Sequence, residues 1–165
     1  EDCGITVIPR RGLRPLVNGY APTDPRYIVI EETYASYGPA YRGILAEEFC
    51  HILLEYDLLA TGKVPDNWQP HNLNFEQHQT IERDAQYLAR AILIARDIFA
   101  ERWKEFFEKA PPAHKATREK NLIFCGESLE AVFRCSPLTI AYRARDVGLI
   151  SPDECKKCFS DRIPM

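Results

Sequence analysis

The sequence has no apolar run approaching the roughly 20 residues that a membrane-crossing helix needs. Its longest candidates, Ile52–Leu54 and Ala91–Ala95, are short and lie inside helix-like patterns, so an integral membrane protein is not expected. It also has no excess of one charge. The 21 Lys and Arg against 24 Asp and Glu give a formal charge of -3, so no global positive field favours nucleic acid or an anionic membrane surface. Cysteine is sparse: six residues, at 3, 50, 125, 135, 155 and 158, are too few for a disulfide scaffold in a 165-residue chain able to bury a core. Reduced thiols in a cytoplasmic setting are the expectation. Internal repeats and low-complexity tracts are lacking as well, and no basic-then-apolar leader stands at Glu1-Asp2-Cys3, as expected of a trimmed chain or a segment of a longer one.

What is present, 45% hydrophobic and 27% charged residues, suits one domain around a single core. The first third reads as β structure, with Ile5-Thr6-Val7-Ile8 stopping at Pro9 and Tyr27-Ile28-Val29-Ile30 following the Pro22/Pro25 turn region. Helical spacing begins after Gly38-Pro39 and runs to about Tyr56, the proline suiting a first turn. Thr61 to Pro70, with two prolines and a glycine, reads as a surface loop. Helical periodicity then holds from about Phe75 to Lys109, as one long helix or two joined by a bend. Beyond Pro111-Pro112 a basic, polar stretch to Lys120 reads as a linker. Ser128–Arg134 and Ser136–Val147, the latter ending at Gly148, read as a helical pair with a tight Cys-Ser-Pro turn between them.

On the first helix, Glu47-Glu48-Phe49-Cys50-His51 sets positions 47 and 51 one turn apart. At about 100° per residue, Glu47, Glu48, His51 and Glu55 share one quadrant, opposite Leu45, Phe49, Ile52 and Leu53. The spacing is that of H-E-x-x-H, in which ligands at i and i+4 grip a metal and the carboxylate at i+1 handles the proton of water. Here Glu47 replaces the first histidine. Alone, such a cluster is usually the solvated face of an amphipathic helix. Glu82 adds weight, because it borders the Ile81, Ala85, Leu88, Ala89, Ile92 stripe, where a carboxylate wants a cation or hydrogen bonds, and Gln86 one turn on can orient it.

Three ordered segments carry a family resemblance. Arg42-Gly43-Ile44-Leu45-Ala46-Glu47-Glu48-Phe49-Cys50-His51 resembles the R-F-T-L-A-H-E-L-G-H signature of the ImmA/IrrE metallopeptidase-like domain. Glu82-Arg83-Asp84-Ala85-Gln86-Tyr87-Leu88-Ala89 resembles its E-x-E-A-N-x-F-A segment, and Ser128 to Pro137, with Arg143 and Val147-Gly148-Leu149-Ile150, its helical C-terminal part. Val17-Asn18-Gly19-Tyr20 and Tyr27–Ile30 sit where that family has its small sheet.

The resemblance implies an α+β, predominantly helical fold of the minimal gluzincin type: a small twisted N-terminal sheet packed on zincin-like helices, with a C-terminal helical pair. Residues 1–110 would form the metallopeptidase-like core, 111–150 the C-terminal helical part of the same domain, and 151–165 a tail. It also implies Glu48 as general base, His51 and Glu82 as metal ligands, and Glu47 as occupant of the first ligand position. Family members include peptidases that cut a helix-turn-helix repressor, so the expected partner is a peptide segment of a regulatory protein, without membrane or direct nucleic-acid contact.

Two carboxylates and one imidazole donate more charge than the usual set. Zinc would then polarise water less, and the oxygen-rich donors drift towards manganese or magnesium. The competing expectation is therefore a catalytically inactive homologue, with no metal, acting as an interaction or sensing module. A DNA-associated regulator is a third reading, for which Arg134, Arg143 and Arg145 form a thin phosphate-contacting set. His71 and His78 read as surface histidines, Cys50 as packing, and the Cys155-x-x-Cys158 pair lacks the second pair that a structural zinc site needs.

Overall fold

Short segments rich in β-branched and aromatic residues in the N-terminal third supply three short strands. In the computed structural model, which describes residues 4–13, 19–20, 27–36, 38–60 and 75–159, these are β1 (Thr6–Arg10), β2 (Gly19–Tyr20) and β3 (Tyr27–Glu31). They form one mixed sheet in the order β1-β3-β2, with β1 parallel to β3 (Val7 opposite Ile28) and β2 antiparallel to it (Tyr20 opposite Val29). Contrary to the expected stop at Pro9, β1 continues through it and pairs Pro9 with Ile30. An edge strand tolerates a residue that lacks the N–H donor. The Thr61–Pro70 loop lies outside the described residues.

The described residues divide into two compact units, 1–89 and 90–165. In the first, a 3-10 turn (Glu32–Ser36) leads into α1 (Gly38–Ala60), which begins at Gly38-Pro39 as its sequence implies. Tyr41, Ile44, Leu45, Phe49 and Ile52, recurring on one face at helical spacing, pack with Ile28 and Ile30 of β3. Gly19 permits the close passage of β2 over α1: a Cβ there would stand 2.8 Å from Ile44 Cγ2, 3.0 Å from the Val29 carbonyl oxygen and 3.3 Å from Glu48 Cγ. The second helix, α2 (Phe75–Leu93), supplies its first fifteen residues to this unit, with Ala85 and Ala89 buried.

The long helical stretch is indeed two helices, since α2 ends at Leu93 and α3 (Arg96–Lys109) follows. Buried Ile94 sits at the break, and the Arg143 guanidinium Nε donates to its carbonyl at 3.0 Å. The second unit continues with α4 (Pro112–Lys115), α5 (Arg118–Phe133), α6 (Pro137–Asp146) and α7 (Pro152–Phe159). The expected linker to Lys120 is thus helical for most of its length. Thr117 caps α5 by accepting from the Lys120 N–H, and Leu122, Cys125, Gly126 and Leu129 turn one stripe into the core. The helical pair is present, with Ser136 capping α6, Pro137 in its first turn and Gly148 beyond its end at φ +80°.

Residues 152–159 pack as α7, burying Cys155, Cys158 and Phe159. Gly126 is where α5 meets the Phe159 ring: a Cβ would stand 2.7 Å from its Cε1. Ordinarily alanine would add about 1 kcal/mol to a helix interior over glycine. Overpacking against a fully buried ring costs about 1–3 kcal/mol. Gly126→Ala should therefore lower stability by a net of about 1 kcal/mol, read as an earlier urea midpoint.

Candidate metal centre

Helical spacing places Glu47 and His51 one turn apart on α1, and Glu82 and Gln86 one turn apart on α2. The two helices bring these residues together. One potential ligand atom each from Glu47, His51 and Glu82 all lie within 4.8 Å of one another, the one such trio among the described residues. His51 Nε2 is 3.3 Å from Glu82 Oε2. Gln86 Nε2 donates to Glu47 Oε1 at 3.0 Å and to Glu82 Oε1 at 3.2 Å, so it reaches both acids, one more than its neighbour on α2. Glu47 is half-buried and the His51 side chain only 16% exposed, whereas that of Glu82 is 54% exposed. The polar side of α1 is therefore partly enclosed rather than a freely solvated face. A concavity of about 590 Å³ lined by Glu76, Gln79, Thr80, Glu82, Arg83 and Gln86 opens beside Glu82.

The electrostatics follow from this crowding. Burial pushes the Glu47 carboxyl upward, the Gln86 hydrogen bond opposes it, and the Glu82 charge raises it further. For His51, burial favours the neutral ring, but the hydrogen bond to Glu82 and the charges of Glu82, Glu48 and Glu47 together outweigh it and hold the imidazole above its usual range. The His51 bond holds Glu82 below the usual carboxylate range in spite of its own burial. Cys50, fully buried, is pushed up to about 11 by burial and by Glu47, so its thiol is an inert packing group.

These donors suit a divalent ion. A tetrahedral ion with bonds of about 2.1 Å spaces its ligands about 3.4 Å apart, and the three donor atoms here lie within 4.8 Å of one another, with His51 Nε2 and Glu82 Oε2 already at 3.3 Å. The donor chemistry, one imidazole and two carboxylates from two rigid helices, is that of a three-ligand catalytic site with a position left for water. Glu48 follows Glu47 on α1, half-buried, with its Cγ over Gly19.

A small sheet packed on α1 and a histidine-carboxylate trio shared with α2 define a metallopeptidase-like domain. The chain belongs to the Peptidase M78 family: the family model described as the IrrE N-terminal-like domain matches residues 3–145. No curated protein and no solved structure matches it.

Other candidates fare differently. His71 lies outside the described residues, as does the side chain of His78. Cys155 and Cys158 face the core of the second unit, and the five described cysteines are buried and unbridged. Arg143 is buried and spent on the Ile94 carbonyl, while Arg145 pairs with Asp146 at 2.9 Å. Gln86 bridging two acids is the one feature of the site that sequence alone did not convey, although its i+4 spacing from Glu82 was the available signal.

Proposed function

We propose that the first unit is a divalent-metal site for peptide hydrolysis, with His51, Glu82 and Glu47 as ligands and Glu48 as general base. The convergence on one point of donor atoms from two helices, with Glu82 31 positions after His51 in the chain, carries the reading. A bound divalent ion would polarise the scissile carbonyl and lower the pKa of water. Glu48 takes the proton from the attacking water on its carboxylate and returns it to the leaving amine as the C–N bond breaks. Zinc is the proposed ion, with manganese the next candidate. The proposed substrate is a peptide segment of a regulatory protein, such as a helix-turn-helix repressor, as the family resemblance implies. The five described cysteines, all unbridged, support a cytoplasmic setting.

A second reading, an inactive homologue serving as an interaction or sensing module, draws support from the same hydrogen bonds. Gln86 and His51 satisfy both carboxylates with no ion required.

Metal analysis and thermal unfolding with added zinc or manganese separate the two. At a free metal concentration 100 times Kd, the wild type should gain about 2.7 kcal/mol. His51→Ala should lose that gain, and Glu47→His should keep or enlarge it. No bound metal and no shift, even after refolding with metal present, would leave the inactive module.

A further inference from the structure

The Gln86 carboxamide reaches across from α2 to a residue 39 positions earlier in the chain while also holding its own helix neighbour. The amide presents its nitrogen, its only donor, to both acids. Oε1 of Glu47 and Oε1 of Glu82 are thereby engaged in charge-assisted hydrogen bonds, while Glu82 Oε2 is turned towards His51 Nε2. We propose that Gln86 is a metal-selectivity residue: by occupying one oxygen of each carboxylate it makes both acids single-oxygen ligands. That arrangement favours a small four-coordinate ion such as zinc over manganese.

This inference rests on reading the trio as a metal centre. Zinc in a three-ligand site takes one atom from each residue and leaves the fourth position open. Manganese, an octahedral oxygen binder, gains more from additional carboxylate oxygens. With the amide removed, each acid can offer its second oxygen, so the donor set grows in the direction manganese prefers. Gln86 and Glu82 are an i, i+4 pair on a regular helix, which sets the amide one turn from its own acid while it reaches Glu47 on α1.

The test is isothermal titration of the full chain with zinc and with manganese, for the wild type, Gln86→Met and Gln86→Ala. Methionine keeps the length without the donors, and alanine provides a second variant should the first fail to fold. The variants should bind zinc about 10- to 100-fold more weakly, with manganese affinity unchanged or increased. The zinc-to-manganese preference should then fall by about 10-fold or more. Equal weakening for both ions would reduce Gln86 to a merely structural part and overturn the proposal, as would no change in either. A wild type that binds neither ion removes the metal centre and this inference together, whereas a metal-binding wild type with indifferent variants removes the inference alone.

Discussion

Asp146→Ala should cost the second unit about 3–5 kcal/mol, the typical result of removing one member of a buried ion pair. Asp146 ends α6 with its side chain only 6% exposed, and it accepts from Arg90 Nε at 2.7 Å through one oxygen and from Arg145 through the other. Both guanidinium groups also lie over the Tyr142 ring, at 5.5 and 4.9 Å from its centroid. An aromatic face attracts a cation by about 0.5–2 kcal/mol, too little to replace the carboxylate for the Arg90 side chain, which is itself 11% exposed. The loss thus comes from leaving a charge in a poor solvent more than from the bond itself. Two comparisons check that cause. Exchanging both partners, as Arg90→Met with Asp146→Leu, should recover much of the loss, because no charge is stranded. Lys104→Ala, which breaks an exposed i, i+4 bridge, should barely move the unfolding curve. An Asp146→Ala midpoint equal to the wild type in urea would show that water reaches Arg90.

The parts of this molecule that follow helical or strand periodicity with clear punctuation are legible from its residues. Gly38-Pro39 marks the start of α1, Pro137 the start of α6, and the continuous apolar run Tyr27–Ile30 the central strand, buried at Ile28, Val29 and Ile30. The candidate trio is legible for the same reason: a helix fixes the angle between Glu47 and His51, and Glu82 stands on the side of α2 that carries buried Ala85 and Ala89. Two elements were obscured by composition. The 111–120 stretch is polar and basic, yet it contains the Thr117 cap that starts α5. Ser151-Pro152-Asp153-Glu154 is a capping box: the Ser151 N–H donates to Glu154 Oε2 at 2.8 Å, and the Glu154 N–H donates back to Ser151 Oγ at 3.1 Å. That signal, with Cys155, Cys158 and Phe159 on one face, was sufficient to identify α7. Long-range polar pairings are another matter. No local pattern links Arg90 to Asp146, 56 residues on, or Gln86 to Glu47, because a guanidinium or an amide acquires its partner only when helices pack.

Zinc affinity should tighten by about 10- to 100-fold between pH 5.5 and 7.5, because ligands must shed their protons to bind metal. Two of the three proposed ligands hold protons more firmly than usual. Burial raises the Glu47 carboxyl, and for His51 the opposing effect of burial is outweighed by Glu82 and the neighbouring acids. Each proton displaced contributes up to about tenfold per pH unit until its pKa is passed. The metal-free protein should follow the opposite slope. A raised His51 gives stability that is complete below its ordinary 6.5 and lost as pH climbs through the higher folded value. Glu47, raised from 4.5, behaves the same way at lower pH, whereas Glu82, depressed from 4.5 by His51, gives stability that is present above 4.5 and lost as pH falls through its lower value. The gap in Tm between zinc-loaded and metal-free protein should therefore widen from pH 5.5 to 7.5. Calorimetric titration and paired melting curves across that range read both quantities. A zinc affinity independent of pH would mean that the metal, if bound, does not displace protons from His51 and Glu47, and its ligands would have to be sought elsewhere.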